Sequence, residues 1–190
     1  MPFLVLVLAE RLDLDMTASL APLHVFVKYR PSGQSRYVNL EATSGANPAR
    51  DAWYRQNMPM TNLSIQNGLY LRPLSEVETR VAMTEPLMAH YMARGDYEEA
   101  IALSNLLLEY FPDFVSGILI NGAAHYRIMK REFIEKFPNP NDIPPERRAY
   151  FNHLASKNLA AFAGAEALGW REPTHLNDGQ YLRRLPKEKR

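Results

Sequence analysis

Residues 23–45 read LHVFVKYRPSGQSRYVNLEATSG, and this stretch decides the fold of the N-terminal part of the chain. Apolar and polar residues alternate through residues 24–30 and again through 36–41, as they do in strands that bury one face. The segment between them, Pro31-Ser32-Gly33-Gln34, has the composition of a turn. The sequence therefore predicts an antiparallel β-hairpin.

One register of this hairpin satisfies both the alternation and the turn chemistry. It places two apolar pairs on one face, Val25 opposite Leu40 and Val27 opposite Val38. It places three pairs on the other face: His24 opposite Glu41, Phe26 opposite Asn39, and Lys28 opposite Tyr37. Because directly opposite Cβ atoms lie about 4.5–5.5 Å apart, we expect His24 and Glu41 to hydrogen-bond.

A carboxylate that holds an imidazole fixes its tautomer and strengthens it as a base for a nucleophile. A cross-strand pair such as His24 and Glu41 is also common as a simple surface ion pair. The spacing alone favours the ion pair, so both interpretations remain open at this point.

The remaining N-terminal sequence predicts a helix over 2–12, a short strand over 16–20 and an irregular segment over 46–74. The apolar run that opens the chain reads as a helix buried on all sides, and Pro2 suits its first turn. The run is far shorter than the roughly 20 residues of a transmembrane helix, and Glu10-Arg11 is a poor cleavage site. In the irregular segment, Trp53 and Tyr54 are expected to pack on a core, and residues 69–71 are expected to form a short strand.

From Ser75 onward the apolar residues follow a helical period. Ser75-Glu76-Val77-Glu78 is a capping box that opens a helix, and Gly95 ends it. Three more helices are predicted over about 96–110, 114–136 and 146–168, and a Pro/Asn-rich loop occupies 137–145.

The helical half resembles the tetratricopeptide repeat over about 81–114, centred on Gly95-Asp96-Tyr97-Glu98-Glu99-Ala100. A second copy begins near Val115, with Gly122 and Ala123 at the close-packing position, and the loop at 137–145 interrupts it. Two such hairpins are too few for an independent array. They are therefore expected to pack on the N-terminal part, or to form a peptide-binding groove.

The hairpin also carries a resemblance to a known family. Leu23-His24-Val25-Phe26-Val27, a turn, and Val38-Asn39-Leu40-Glu41-Ala42-Thr43-Ser44-Gly45 resemble the second half of the transglutaminase-like fold. That papain-type superfamily uses a Cys-His-Asp/Glu triad, and the resemblance assigns His24 as the catalytic base and Glu41 as the acid. Residues 50–74 are similar to the connector of a bacterial subgroup that joins this fold to tetratricopeptide-like helices.

The sequence departs from the family in one decisive way, because it contains no Cys. Helix 2–12 is similar to the family helix that carries the nucleophile at its N-terminus, where the helix dipole lowers the pKa of a thiol. The resemblance therefore implies a Cys just before Met1. Either the start of the chain is misplaced or truncated, or the chain is a non-catalytic remnant. If Met1 is the true start, a cytoplasmic location is expected.

Composition excludes several other classes of function. With Lys+Arg 22 against Asp+Glu 21, the chain lacks the basic excess of a nucleic-acid binder. The histidines outside the hairpin show no metal-ligand spacing, and no glycine-rich phosphate loop occurs; they are His90, His125, His153 and His175. We therefore expect neither a metal nor a cofactor.

Together these observations predict an α+β fold with three parts. A partial transglutaminase-like domain spans 1–74, tetratricopeptide-like helices span 75–170, and a polar basic tail spans 171–190. The complete form would carry out cysteine-dependent acyl transfer or amide hydrolysis on a protein or peptide, whereas the present chain would be inactive. The alternative is a non-catalytic interaction module built on the helices. Self-association through the N-terminal helix is also expected.

Overall fold

The structure is a computed structural model that describes residues 1–58 and 60–172. The described chain is α+β, with a four-stranded antiparallel sheet followed by a mainly helical region. It divides into two compact units. The first is Met1–Thr79, joined by the described residues from Gly169 onward, and the second is Arg80–Leu168. Of the basic tail predicted over 171–190, residues 173–190 lie outside the described residues, and these include Arg183, Arg184, Lys187, Lys189 and Arg190.

The first unit is built around a sheet whose strands follow one another in chain order, β1-β2-β3-β4. The strands are β1 Met16–Ala21, β2 His24–Tyr29, β3 Val38–Glu41 and β4 Asn47–Ala49. The helices are α1 Pro2–Arg11, α2 Asp51–Asn57 and α3 Asn62–Gln66, and a 3-10 turn spans Ala42–Ser44. The predicted hairpin, strand 16–20 and helix 2–12 are thus confirmed.

The predicted hairpin register is wrong by two residues. Leu40 lies opposite Val27, Asn39 opposite Lys28 and Val38 opposite Tyr29. The loop is longer than predicted and includes Arg30 and Tyr37. The side chains of both residues donate hydrogen bonds to the carboxylate of Asp15. A shift of two leaves every side chain on its predicted face, since the side-chain period of a strand is two.

Helix α1 is exposed along one side, so the prediction of a fully buried helix is wrong. Ala9 is its buried residue, whereas the side chains of Leu4, Val7 and Leu8, and of Leu12 directly after the helix, are exposed. The helix packs against β1, β2 and the 3-10 turn at Ala42–Ser44. The sheet therefore covers one side of α1, and its outer side carries an apolar stripe.

The direction of α1 follows from its neighbours. Its C-terminal end is tied to the start of β1, since the Leu14 N–H donates to the Ala9 carbonyl at 2.9 Å. The start of β1 lies at the opposite end of the sheet from His24, because Met16 pairs with Tyr29. The 3-10 turn that also contacts α1 directly follows Glu41, at the His24 end. The N-terminal part of α1 therefore extends toward the end of the sheet that holds His24 and Glu41.

The prediction that 46–74 is irregular is wrong, since β4, α2 and α3 lie within it. Pro48 is accommodated because β4 is an edge strand. Thr61 caps α3 by accepting from the Ser64 N–H at 3.0 Å. Residues 69–71 are not a strand, although the N–H groups of Leu71 and Leu74 donate to the edge of β1.

The second unit consists of packed helices. Helix α4 begins in the first unit and ends in the second. The helices are α4 Glu76–Met83, α5 Glu85–Arg94, α6 Tyr97–Tyr110, α7 Val115–Met129 and α8 Pro145–Ala167. The capping box is confirmed, because Ser75 and Glu78 exchange side-chain-to-backbone hydrogen bonds of 3.2 and 2.8 Å. The single helix predicted after Ser75 is divided into α4 and α5 at Thr84, and Pro86 lies in the first turn of α5. The helix predicted over 114–136 ends at Met129 and continues as a π-helical turn.

Gly122 lies at a close approach of α7 and α8, where an added Cβ would lie 2.7 Å from the Ala161 Cβ. The matched control is Gly164 in α8, around which no atom lies within 4 Å of such a Cβ. Both Gly→Ala substitutions gain the same helix propensity, so their difference isolates the overpacking. We expect Gly122→Ala to be less stable than Gly164→Ala by about 1–3 kcal/mol in urea unfolding followed by circular dichroism. Equal stability would contradict the close approach.

Candidate functional site

A polar layer covers one face of the sheet in the first unit. His24 and Lys28 reach it from β2, and Asn39 and Glu41 reach it from β3, because alternate residues of a strand share a face. Helix α2 lies over this layer, with the Tyr54 ring stacked on Phe26 at a centroid distance of 4.0 Å.

The structure brings His24 and Glu41 together. The His24 Nε2 lies 2.8 Å from the Glu41 Oε2, although the two residues sit diagonally and not opposite each other. The side chains are only 19% and 8% exposed, respectively. The predicted contact is therefore confirmed, and its burial distinguishes it from an exposed surface ion pair.

Four donors surround the Glu41 carboxylate. Its Oε1 accepts from the N–H and the hydroxyl of Thr43, and its Oε2 accepts from His24 and from the Tyr54 hydroxyl at 3.1 Å. Burial raises the pKa of Glu41. The hydrogen bonds from Thr43 and His24 together lower it by more, so the pKa lies below its usual value. Glu41 is therefore ionised at neutral pH.

The ionisation of Glu41 fixes the tautomer of His24. A carboxylate can only accept hydrogen bonds, so the His24 Nε2 must carry the proton that joins them. In the neutral imidazole the Nδ1 then keeps its lone pair, and it makes no hydrogen bond with any described residue. Nδ1 is therefore the nitrogen of His24 that can accept a proton.

A second polar chain lies beside this pair, and the sequence did not predict it. The Lys28 Nζ donates to the Asn39 Oδ1, and the Asn39 Nδ2 donates to the Asp51 Oδ1, both at 2.7 Å. Burial lowers the pKa of Lys28, although the charge of Asp51 at 3.6 Å opposes this effect. The predicted partner of Lys28, Tyr37, instead contacts Asp15.

A cavity of about 230 Å³ opens beside α2. Its lining comes from α2, α3 and the segment that follows, namely Asp51, Arg55, Ile65, Tyr70, Leu71 and Arg72. Neither His24 nor Glu41 lines this cavity, so it is separate from the pair.

The other described histidines lie on helices of the second unit. His90 and His153 are exposed, whereas His125 is buried and its Nδ1 lies 2.8 Å from the Asn121 carbonyl oxygen. His175 lies outside the described residues. Within residues 1–58 and 60–172, no group of three or more potential ligands could hold a metal ion.

Acid is expected to destabilise the second unit through His125. Burial lowers the pKa of His125, and the neighbouring His153 and Lys157 of α8 lower it further, against the bond to Asn121. Its stabilising contribution is therefore present above the ordinary His pKa of about 6.5 and is lost as the pH falls through the lowered native pKa. We expect the melting temperature to fall less between pH 7.5 and 5.5 in His125→Gln than in wild type. The exposed-site variant His90→Gln is the control, and identical pH dependence in all three proteins would contradict the assignment.

Among the described helices, none combines the length and the apolar character needed to cross a bilayer. Comparison of the chain with protein-family models, curated proteins and solved structures finds no match.

Proposed function

We propose that His24 and Glu41 are the base and the carboxylate of a transglutaminase-like, cysteine-dependent acyl-transfer or amide-hydrolysis site. The proposed substrates are proteins or peptides. The chain has no Cys, so the proposal requires a thiol from outside these 190 residues. We place that thiol at the N-terminal end of α1.

The observation that carries this proposal is the largely buried hydrogen bond between His24 and Glu41. This bond occupies the Nε2 of His24 and leaves the Nδ1 as the basic nitrogen of the imidazole. The direction of α1 supports it, because the N-terminal part of that helix extends toward the same end of the sheet. A helix N-terminus and a neighbouring imidazolium both stabilise a thiolate.

In this mechanism the Nδ1 of His24 takes the thiol proton, and the thiolate adds to the substrate carbonyl. The proton then passes from His24 to the departing amine as the carbon–nitrogen bond breaks, which leaves a thioester. Water or a second amine attacks the thioester, with His24 again accepting the proton of the attacking group, and the thiol is released. Glu41 stabilises the imidazolium through the Nε2–H bond at each stage.

The experiment that tests this proposal supplies the missing thiol. A Met1→Cys chain is treated with an activated acyl ester, and thioester formation is compared in the presence and absence of His24. Thioester formation is expected to be faster when His24 is present.

A second candidate function is a protein-interaction module, with helices of the tetratricopeptide type. Each helix from α5 to α8 packs on the next one, and three apolar side chains of α5 and α6 are 44–62% exposed: Leu87, Leu106 and Tyr110. If this is the function, peptides selected on the full chain will bind His24→Ala as well as wild type. Their binding will weaken in Tyr110→Ser.

A further inference from the structure

We propose that Tyr54 is a positioning residue that holds the Glu41 carboxylate in place for His24. Tyr54 lies in α2, outside the two strands that carry the pair. The inference rests on the proposed roles of His24 and Glu41, and it assigns a role to a residue that the sequence identified only as part of a core.

The ring of Tyr54 is held rigidly. It is fully buried, and it stacks on the equally buried ring of Phe26 with 21° between the two planes. Trp53 meets it edge-on at a centroid distance of 5.1 Å. The position of the hydroxyl is therefore set by packing, and that hydroxyl donates to the Glu41 Oε2 at 3.1 Å.

Helix α2 is attached to β3 at two points. Asp51 accepts from Asn39 at one point, and Tyr54 donates to Glu41 at the other. Residues three apart share a helix face, and residues two apart share a strand face, so the two bonds reinforce one another. This double attachment fixes α2 relative to the carboxylate.

The Tyr54 hydroxyl stays protonated, so it remains a donor. Burial raises the pKa of Tyr54, and the charge and hydrogen bond of Glu41 raise it further. With Tyr54 and His24 on Oε2, and Thr43 on Oε1, each carboxylate oxygen accepts two hydrogen bonds. The carboxylate is thereby held in one orientation, with Oε2 toward the imidazole.

The test is Tyr54→Phe, which keeps the stacked ring and removes only the hydroxyl. The matched control is Tyr37→Phe, which removes a hydroxyl that lies 3.4 Å from the Asp15 carboxylate, beside the same sheet. Both variants are compared with wild type by NMR pH titration of the Glu41 side-chain carboxyl carbon. A hydrogen bond to a charged group is worth enough to move the Glu41 pKa by about one pH unit, upward in Tyr54→Phe and not in Tyr37→Phe.

A second readout follows the His24 Nε2–H signal, which we expect to exchange with water faster in Tyr54→Phe alone. If both readouts are the same in the two variants, Tyr54 is only a packing residue and the inference is overturned. Neither readout needs a thiol, so this failure is distinguishable from a failure of the proposed acyl-transfer site.

Discussion

A Met1→Cys chain is expected to form a thioester with an activated acyl ester, and its rate of acylation should fall by about 10²–10⁴-fold in His24→Ala. An upstream affinity tag supplies the initiator for these proteins. The reason for the effect is that the thiol, at the N-terminal end of α1, would give its proton to the His24 Nδ1. The measurement is mass spectrometry of the intact protein over time at neutral pH.

Two controls make the experiment specific. Wild type has no Cys and should form no thioester, and iodoacetamide should block thioester formation in Met1→Cys. Ser32→Cys places a thiol in the exposed turn at the other end of the hairpin, where His24→Ala should have no effect. If Met1→Cys and Ser32→Cys react alike and without regard to His24, the interaction module becomes the better account. Amidase activity of the Cys-free wild type would overturn the triad assignment.

Tyr54→Ala is expected to destabilise the first unit by about 3–5 kcal/mol, the usual cost of removing a large buried aromatic side chain. The substitution empties the space between Phe26 and Trp53, and it removes one of the four donors to Glu41. A loss of this size is a large fraction of the 5–15 kcal/mol that typically stabilises a domain. Urea unfolding followed by tryptophan fluorescence measures it, since both Trp53 and Trp170 belong to the first unit.

Tyr110→Ala is the control for Tyr54→Ala, because Tyr110 is 62% exposed. We expect it to change stability by no more than about 0.5 kcal/mol. Tyr54→Phe separates packing from the hydroxyl, since it retains the stacked ring. If Tyr54→Ala unfolded at the same urea concentration as Tyr110→Ala, the packing of α2 on the sheet would be contradicted.

The hairpin shows what alternation in a sequence can and cannot predict. Alternation assigns faces, so it correctly placed His24 and Glu41 on the same face of two adjacent strands. Alternation does not determine the length of a loop. The loop is longer than predicted, and Arg30 and Tyr37 within it hydrogen-bond to the side chain of Asp15. The contact survives the two-residue error because long side chains also meet their diagonal neighbours across a sheet.

The helices were predictable where local chemistry determines them. Ser75 and Glu78 form the predicted capping box, and Gly95 takes the left-handed conformation that ends α5. In contrast, β4, α2 and α3 have three, seven and five residues, which is too short for a clear period. Their stability comes from tertiary contacts such as Tyr54 on Phe26, which no local pattern contains.

The candidate site was therefore predictable only in part. The pairing of His24 with Glu41 followed from the strands, whereas the hydroxyl of Tyr54 reaches Glu41 from an element that the sequence did not predict. Trp53 and Tyr54 were both expected in a core, but Tyr54 is fully buried and Trp53 is 42% exposed. The three-residue spacing of Asp51 and Tyr54 was the signal in the sequence from which their common helix face could have been predicted.

The most direct test of the central claim is a double-mutant cycle on the acylation rate of Met1→Cys, with His24→Ala, Glu41→Gln and both together. If the two residues act as one base and its carboxylate, Glu41 works only through His24. The double variant should then be no slower than His24→Ala alone. If the two losses instead multiply, His24 and Glu41 act independently, and the proposed pair is contradicted.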